Sequence, residues 1–195
     1  MSVRACIVAF VVHAAVVGAA AGAAPGTTSR SASRTVYVDG DSLAVGTGWY
    51  LPAFLHGWTV RSTTAVSRHV SQGVAAIEAA GRSLERVVVV DLGTNDDPSA
   101  VGRFRSSVRE VVRAAGPSRC VIWATINRPP YDGVSYDGYN RALASLDAAY
   151  RSLHVFDWVA MARAHPGWFG PDGVHPTNAG YRARAAALAR LIRSC

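Results

Sequence analysis

The stretch Val87-Val88-Val89-Val90-Asp91-Leu92-Gly93-Thr94-Asn95-Asp96 places four consecutive valines directly before a polar turn. A short, continuous apolar run bounded by turn residues is typical of a strand buried on both faces of a parallel sheet. Such a strand needs helices above and below it, so the run predicts an α/β domain. The polar residues that follow would then lie at the carboxyl edge of the sheet, where ligands bind in open α/β folds.

The rest of the chain alternates between strand-like and helix-like segments. Strands are predicted at Thr35–Asp39, Trp58–Arg61, Arg86–Leu92, Cys120–Ile126 and Leu153–Asp157. Helices are predicted near Leu43–Leu55, Val74–Ala80, Val101–Ala115, Tyr139–Arg151 and Asn178–Arg193. The alternation predicts a five-stranded parallel sheet covered on both faces, which is a three-layer α/β/α sandwich.

The first 23 residues have the features of a secretory signal peptide. Arg4 precedes the apolar stretch Ala5–Ala20, and the small residues Ala21-Gly22-Ala23 suit a cleavage site. A membrane anchor is the alternative, but the stretch contains His13 and no basic cluster follows it. We therefore expect an exported protein with a signal peptide over residues 1–23, a flexible lead-in over 24–34 and one domain over 35–195.

The chain is basic and contains no lysine. Its formal net charge of +7 falls to +6 without the signal segment, which contains Arg4 and no acid. A GC-rich coding sequence would explain the arginines, and attraction to anionic envelope polymers or lipids is the functional alternative. Because the arginines are scattered and no aromatic RNA-binding signature accompanies them, we expect no nucleic-acid partner.

Two of the three cysteines lie outside the signal segment. Cys120 opens a predicted strand, and Cys195 follows the last predicted helix. A cysteine pair in an exported protein predicts a disulfide, which would pin that helix to the sheet. One buried thiol and one free thiol are the alternative.

Ser42 follows the first predicted strand, within Gly40-Asp41-Ser42-Leu43. It would occupy a tight turn that enters a helix, with its hydroxyl exposed and its N–H at the positive helix end. An ordinary helix-capping serine has the same local sequence. Asp41 is too close to Ser42 to reach a base docked on that serine, so we expect Asp41 to be a structural residue of the turn.

Asp172 and His175 lie three residues apart in a loop that contains Gly173 and ends at Pro176. Such a loop can bring a carboxylate to one imidazole nitrogen while the other points outward, which fixes the tautomer and stabilises the imidazolium. A surface loop in which the aspartate caps a turn is the alternative. The remaining histidines beyond the signal segment have no acid at comparable spacing; they are His56, His69, His154 and His165.

Asn95 and Gly73 would complete a site for acyl transfer. The Asn95 amide could donate to an oxyanion, and the Gly73 N–H could do so because no side chain blocks its approach. Turn residues of the same types are the alternative. Ser42, Asn95 and the Asp172–His175 loop all follow predicted strands, so they fall on the edge of the sheet where a site is expected.

These segments resemble the sequence blocks of the SGNH hydrolases, also called GDSL esterases and lipases. The matching segments are Gly40-Asp41-Ser42-Leu43, Gly73, Gly93-Thr94-Asn95-Asp96 and Asp172-Gly173-Val174-His175. The resemblance implies a flavodoxin-like fold over residues 35–195. It also implies that Ser42 is the nucleophile, that Asp172 and His175 are its acid and base, and that Ser42, Gly73 and Asn95 form the oxyanion hole.

The resemblance implies a serine esterase that requires neither a cofactor nor a metal. We expect it to hydrolyse short-chain esters, acetyl esters above all, of carbohydrates or other cell-envelope molecules. The domain leaves little sequence for a lid or a long apolar tunnel, and Arg128, Trp168 and Phe169 on its longest loops suit a sugar surface. Packing of the two aromatic residues against the last helix is the alternative. We expect a secreted or envelope-associated monomer without stable membrane insertion after signal cleavage.

Other readings of the same residues stay open. An O-acyltransferase would use the same triad with a sugar hydroxyl in place of water, and a non-catalytic domain of this fold could bind envelope glycans. Val36–Asp41 also fits the opening of haloacid-dehalogenase-type phosphatases, with Asp39 as nucleophile and magnesium as cofactor, but those enzymes need a lysine. The sequence contains no Gly-x-Ser-x-Gly, C-x-x-C or H-E-x-x-H motif.

Overall fold

The computed structural model describes residues 34–195, so the predicted signal peptide and nearly all of the lead-in lie outside the described residues. Within this part, five parallel strands form a sheet in the order β2-β1-β3-β4-β5. The strands are β1 (Thr35–Gly40), β2 (Thr59–Thr64), β3 (Val87–Asp91), β4 (Cys120–Ala124) and β5 (Leu153–Phe156). The chain passes from β1 to β2 and then crosses to β3 on the other side of β1, so the strand order reverses at β1.

Helices connect the parallel strands and return the chain each time to the same end of the sheet. They are α1 (Ser42–Gly48), α2 (Leu51–Phe54), α3 (Val70–Ala80), α4 (Val101–Ala115), α5 (Asp137–Asp147), α6 (Trp158–Ala164) and α7 (Asn178–Ser194). Short 3-10 helices follow α3 and α6. Within residues 34–195, no helix has the length and apolar character that crossing a membrane would require.

The sheet separates two apolar cores, because side chains alternate between the faces of each strand. All five residues of β3 are buried. Val88 and Val90 pack in the core beneath α3, α4 and α5. Val87 and Val89 pack in the other core, beneath α1, α2, α6 and α7. The predicted three-layer α/β/α sandwich with a five-stranded parallel sheet is thus confirmed.

Two helices differ from the sequence prediction. The single helix predicted over Leu43–Leu55 is divided into α1 and α2, and Pro52 lies in the first turn of α2, where its missing N–H costs no hydrogen bond. Helix α6 was not predicted, because its seven residues are too few to show a helical period. Asp157 begins it by accepting a hydrogen bond from the Ala160 N–H at 3.0 Å.

Candidate active site

Ser42, His175 and Asp172 form a continuous hydrogen-bonded chain at the carboxyl edge of the sheet. Ser42 Oγ lies 2.9 Å from His175 Nε2. His175 Nδ1 lies 2.6 Å from Asp172 Oδ2. Ser42 begins α1 directly after β1, whereas His175 lies in the loop before α7, 133 residues away in sequence. The structure therefore brings together the three side chains that the sequence analysis proposed as nucleophile, base and acid.

The loop that carries Asp172 holds its carboxylate in one orientation. Asp172 Oδ1 accepts hydrogen bonds from the backbone N–H groups of Val174 and His175, each at 3.0 Å, and Oδ2 is left for the imidazole. The hydrogen bond from the His175 side chain and these two backbone bonds lower the pKa of Asp172 to about 2. The side chains of Asp172 and His175 are 51% and 47% exposed, so solvent reaches the pair.

Asp41, the residue before Ser42, is fully buried and belongs to the turn. Its Oδ1 accepts a hydrogen bond from the Leu43 N–H at 2.9 Å, which caps α1. Burial, together with the nearby charge of Asp91, raises the pKa of Asp41 to about 7. These contacts agree with the structural role expected for Asp41.

Asn95 follows β3 and reaches back toward the nucleophile. Its Nδ2 donates to Asp41 Oδ2 at 3.4 Å and to the backbone carbonyl of Arg68 at 3.2 Å. These bonds place the amide beside the turn that contains Ser42 and beside the connection from β2 to α3. An amide N–H at this position can donate to an oxyanion that forms beside Ser42.

Gly73 has a different role from the one predicted. It lies in the first turns of α3, where its N–H donates to the His69 carbonyl at 3.3 Å. A Cβ at this position would lie 2.2 Å from Leu92 Cδ1, so the glycine allows α3 to pack closely against the end of β3. The prediction that the Gly73 N–H contributes to an oxyanion hole is wrong, because that group is used within the helix.

Ser67 is a candidate oxyanion donor that the sequence did not lead us to predict. It lies in the turn between β2 and α3, where the Arg68 N–H donates to the Ala65 carbonyl at 3.3 Å and the Ala65 N–H donates to Gly40 at 3.0 Å. Its φ of 59° falls in the left-handed region that favours glycine. Within residues 34–195, its N–H has no hydrogen-bond partner. The one sequence signal that pointed to Ser67 was its position shortly after a strand, on the same edge of the sheet as Ser42.

A polar cleft of about 440 Å³ begins at Asn95 and Ser67. Its other lining residues are His69, Asp96, Asp97, Arg128, Tyr131 and Tyr136. Arg128 donates to the Thr94 carbonyl, which holds the guanidinium at the wall of the cleft. Arg128 therefore lines this cleft, and its contact with a substrate stays a prediction.

Trp168 and Phe169 do not line this cleft, and their contact with a substrate stays a prediction. Both rings are half-buried in the core beneath α7, with centroids 6.2 Å and 5.7 Å from that of Trp158. The Trp168 carbonyl accepts a hydrogen bond from the Thr177 N–H at 2.6 Å. These contacts support the loop that carries His175. They correspond to the alternative in which the two aromatic residues pack against the last helix.

A buried ion pair ties α7 to the centre of the sheet. Arg184, whose side chain is 1% exposed, donates two hydrogen bonds to the Asp91 carboxylate at 2.7 and 2.9 Å. Arg184 also donates to Thr47 Oγ1 at 3.0 Å and lies over the Trp158 ring. Because α7 begins shortly after His175, this pair sets where the histidine loop sits relative to Ser42.

We expect Arg184→Met to lower the free energy of unfolding by about 3–5 kcal/mol, because it leaves the Asp91 carboxylate buried without its counter-ion. Urea unfolding followed by circular dichroism measures the change. The double variant Arg184→Met/Asp91→Leu is the control, since removing both charges should recover much of the loss. Wild-type stability in Arg184→Met would show that the pair contributes little.

Asp39 is fully buried and paired with a second arginine. Arg68 donates to its two carboxylate oxygens at 2.7 and 3.2 Å. A carboxylate in this setting cannot attack a phosphate from the cleft, which argues against the phosphatase reading of Val36–Asp41.

One group of potential metal ligands occurs in the described part of the chain. Cys120, His154 and Cys195 place their ligand atoms within 4.8 Å of one another. Cys120 opens β4, so this group lies at the amino edge of the sheet, opposite Ser42. The Cα atoms of the two cysteines are 5.8 Å apart, a separation that a disulfide spans.

A family model described as GDSL-like Lipase/Acylhydrolase matches residues 39–183. The chain belongs to this family of acylhydrolases and esterases. The match begins within β1 and ends within α7, so it includes every segment that forms the site.

Comparison with individual proteins gives one partial sequence relative and several solved structures of the same fold. One relative is YrhL of Bacillus subtilis (strain 168), which is provisionally assigned as a peptidoglycan O-acetyltransferase. The two sequences are 28% identical over 109 residues, which are 56% of this chain and 16% of that protein. The C-terminal catalytic domain of Streptococcus pneumoniae peptidoglycan O-acetyltransferase A superposes with a TM-score of 0.69 at 20% identity, covering 83% of this chain and 94% of that one. The psychrotrophic esterase EstA from Pseudoalteromonas sp. superposes with a TM-score of 0.65 at 15% identity, covering 83% of this chain and 97% of that one.

Proposed function

We propose that this protein is an exported serine esterase that removes short acyl groups, acetyl above all, from carbohydrates of the cell envelope. The observation that carries the proposal is the hydrogen-bonded chain from Asp172 through His175 to Ser42, with distances of 2.6 and 2.9 Å. Membership of an acylhydrolase family supports the reaction class, and the two O-acetyltransferases among the similar proteins support an envelope sugar as the alcohol.

The proposed reaction proceeds through an acyl-enzyme. Ser42 Oγ attacks the ester carbonyl carbon while its proton passes to His175 Nε2. The bond from that carbon to the alcohol oxygen then breaks, and His175 returns the proton to the departing oxygen. Water attacks the acyl-enzyme in the same way, with His175 taking its proton and giving it to Ser42 Oγ as the acid leaves. Asp172 stays ionised and stabilises the imidazolium in both halves of the reaction.

Three donors support the proposed oxyanion hole. They are the backbone N–H groups of Ser42 and Ser67, which have no hydrogen-bond partner within residues 34–195, and the side-chain amide of Asn95. Ser67 here takes the role that the sequence analysis assigned to Gly73. Asn95 would exchange one of its long bonds for the oxyanion, which forms only during the reaction.

A sugar O-acyltransferase is the second candidate, and the similarity to two O-acetyltransferases favours it. The same acyl-enzyme would pass its acyl group to a sugar hydroxyl in place of water. Half-exposed Asp172 and His175 leave room for either acceptor. Incubation with an acetyl donor and chito-oligosaccharide separates the two reactions, because a transferase yields acetylated sugar and an esterase yields free acetate.

We expect p-nitrophenyl acetate or butyrate to be cleaved at least about tenfold faster, in kcat/KM, than the palmitate ester. Within residues 34–195, the side chains that line the cleft beside Asn95 include no aliphatic residue, so a long alkyl chain would find few groups to pack against there. A hydrolysis series from two to sixteen carbons measures the preference and tests the proposed function. A clear preference for chains of about ten carbons or more would identify a lipase.

We also propose that Cys120 and Cys195 form a disulfide in the exported protein, given their 5.8 Å Cα separation. Closing a loop of 75 residues should stabilise the fold by about 4 kcal/mol in the chain-entropy treatment. Urea unfolding of the Cys120→Ala/Cys195→Ala variant should show a loss of about 2–5 kcal/mol. Mass spectrometry of non-reduced digests in which both thiols are free would contradict the pairing.

A further inference from the structure

A second polar cleft, of about 270 Å³, adjoins the one that begins at Asn95. The two clefts share His69, Asp96 and Asp97, which form the boundary between them. The second cleft extends from this boundary between α3 and α4 to Arg103 and Ser107. The two clefts therefore adjoin, and together they extend from Ser67 and Asn95 to Arg103 and Ser107 on α4.

The boundary residues are held by backbone and side-chain contacts from two helices. The Asp96 carboxylate accepts a hydrogen bond from the Val70 N–H at 3.1 Å and lies 3.4 Å from His69 Nδ1. On the other side, Tyr139 Oη donates to the Asp97 carbonyl at 2.5 Å and Tyr136 Oη donates to the Asp96 carbonyl at 3.2 Å. A ligand that crosses the boundary would meet a surface whose shape is already set.

The polar groups of the second cleft are of mixed type and face solvent. Within residues 34–195 the Arg103 guanidinium forms no ion pair within 4.0 Å, although its charge acts on the nearby Asp97 carboxylate, and the His69 side chain is 53% exposed. The Asp97 carboxylate is also exposed and accepts hydrogen bonds from the N–H and Oγ of Ser99 at 2.9 and 2.8 Å. Donors and acceptors side by side match the hydroxyl and amide groups of a sugar better than a phosphate or an alkyl chain.

The floor of the second cleft is fixed by two buried aromatic residues. Phe104 and Tyr139 stack with their ring centroids 4.0 Å apart and their planes 7° from parallel, and the two residues are only 2% and 1% exposed. They set the shape of the cleft from beneath, so a ligand there would bind through the exposed polar groups around it.

We propose that the second cleft binds a sugar unit next to the acylated one, so that the site selects a glycan chain over a single sugar. The inference rests on the proposed function, since it assumes that the ester is carried by a carbohydrate. Arg103 is the specificity residue of this cleft: it donates to the neighbouring sugar and does not touch the reacting ester.

The test compares O-acetylated chito-oligosaccharides of one to four sugars with p-nitrophenyl acetate, which has no sugar. For the wild-type protein, kcat/KM should rise at least about tenfold from one sugar to the longer chains, mainly through KM. In Arg103→Ala, the ratio of kcat/KM for the four-sugar substrate to that for p-nitrophenyl acetate should fall about tenfold. Arg109→Ala, an exposed arginine further along α4, is the matched control and should keep the wild-type ratio.

The outcomes separate this inference from the proposed function. Failure to hydrolyse p-nitrophenyl acetate would overturn both. Hydrolysis of p-nitrophenyl acetate without any action on acetylated sugars would overturn the second cleft and the carbohydrate substrate of the proposed function, while leaving the esterase reaction. Equal kcat/KM for one and four sugars would overturn the second cleft alone. An unchanged ratio in Arg103→Ala would likewise overturn it, whereas chain-length dependence that is lost in Arg103→Ala and kept in Arg109→Ala supports it.

Discussion

Ser42→Ala is expected to lower kcat for p-nitrophenyl acetate by about 10⁴–10⁶-fold, because no acyl-enzyme can form without the hydroxyl. The fold should be unchanged, since Ser42 Oγ has a single hydrogen bond, to half-exposed His175. The residual rate would reflect the oxyanion donors and substrate binding alone.

A serine-reactive phosphonate provides a second measurement on the same variant. Intact mass should show one label on the wild-type protein and none on Ser42→Ala. Ser106→Ala is the matched control, because Ser106 is exposed on α4 and should leave both labelling and turnover as in the wild type. Undiminished labelling of Ser42→Ala would refute the assignment of the nucleophile.

Asp172→Asn is expected to fold but to lose about 10²–10⁴-fold in kcat. The N–H groups of Val174 and His175 both donate to Oδ1, so they should hold the amide oxygen of the new side chain at that position. The amide NH₂ would then face His175 Nδ1 and favour the tautomer with its proton on Nε2. A protonated Nε2 cannot accept the Ser42 proton, so the base would be lost while the backbone geometry is kept.

The pH dependence distinguishes this explanation from a loss of stability. Because the pKa of Asp172 is lowered to about 2, its carboxylate is ionised in the wild-type protein at every pH above about 3. Asp172→Asn should therefore reduce kcat across the whole range from about pH 5 to 9. The thermal unfolding midpoint should fall only slightly, because the lowered pKa of an exposed carboxylate contributes little to stability. Wild-type turnover would contradict the assigned role of Asp172, and so would a defect confined to acidic pH.

Similarity in fold supports these expectations without giving the substrate. The two solved structures described above share 15–20% of their residues with this chain, which is evidence of a common architecture. Their TM-scores of 0.65 and 0.69 are reached by an esterase and by an O-acetyltransferase domain, so the same framework accompanies either reaction. Identification of the acceptor, water or sugar, therefore requires the product analysis described above.

Local patterns in the sequence were sufficient to predict the sheet and the three side chains of the proposed triad. Four valines in a row are typical of a strand buried on both faces, and the helix predicted over Val101–Ala115 is observed with the same bounds. Ser42 and the Asp172–His175 loop were found because each follows a strand and because the histidine and its acid lie within one loop. Each of these signals is local, although the contact between Ser42 and His175 joins residues 133 apart in the chain.

Contacts between distant segments account for what the sequence did not reveal. The Gly73 N–H is used by a helix that begins at Val70. Ser67, the donor proposed in its place, lies in a left-handed turn that its residue type does not predict. The pairing of Arg184 with Asp91 spans 93 residues, and that of His69 with Asp96 joins two different connections. Residue types and spacing specify strands, turns and local pairs, but the choice among distant partners is made by packing in three dimensions.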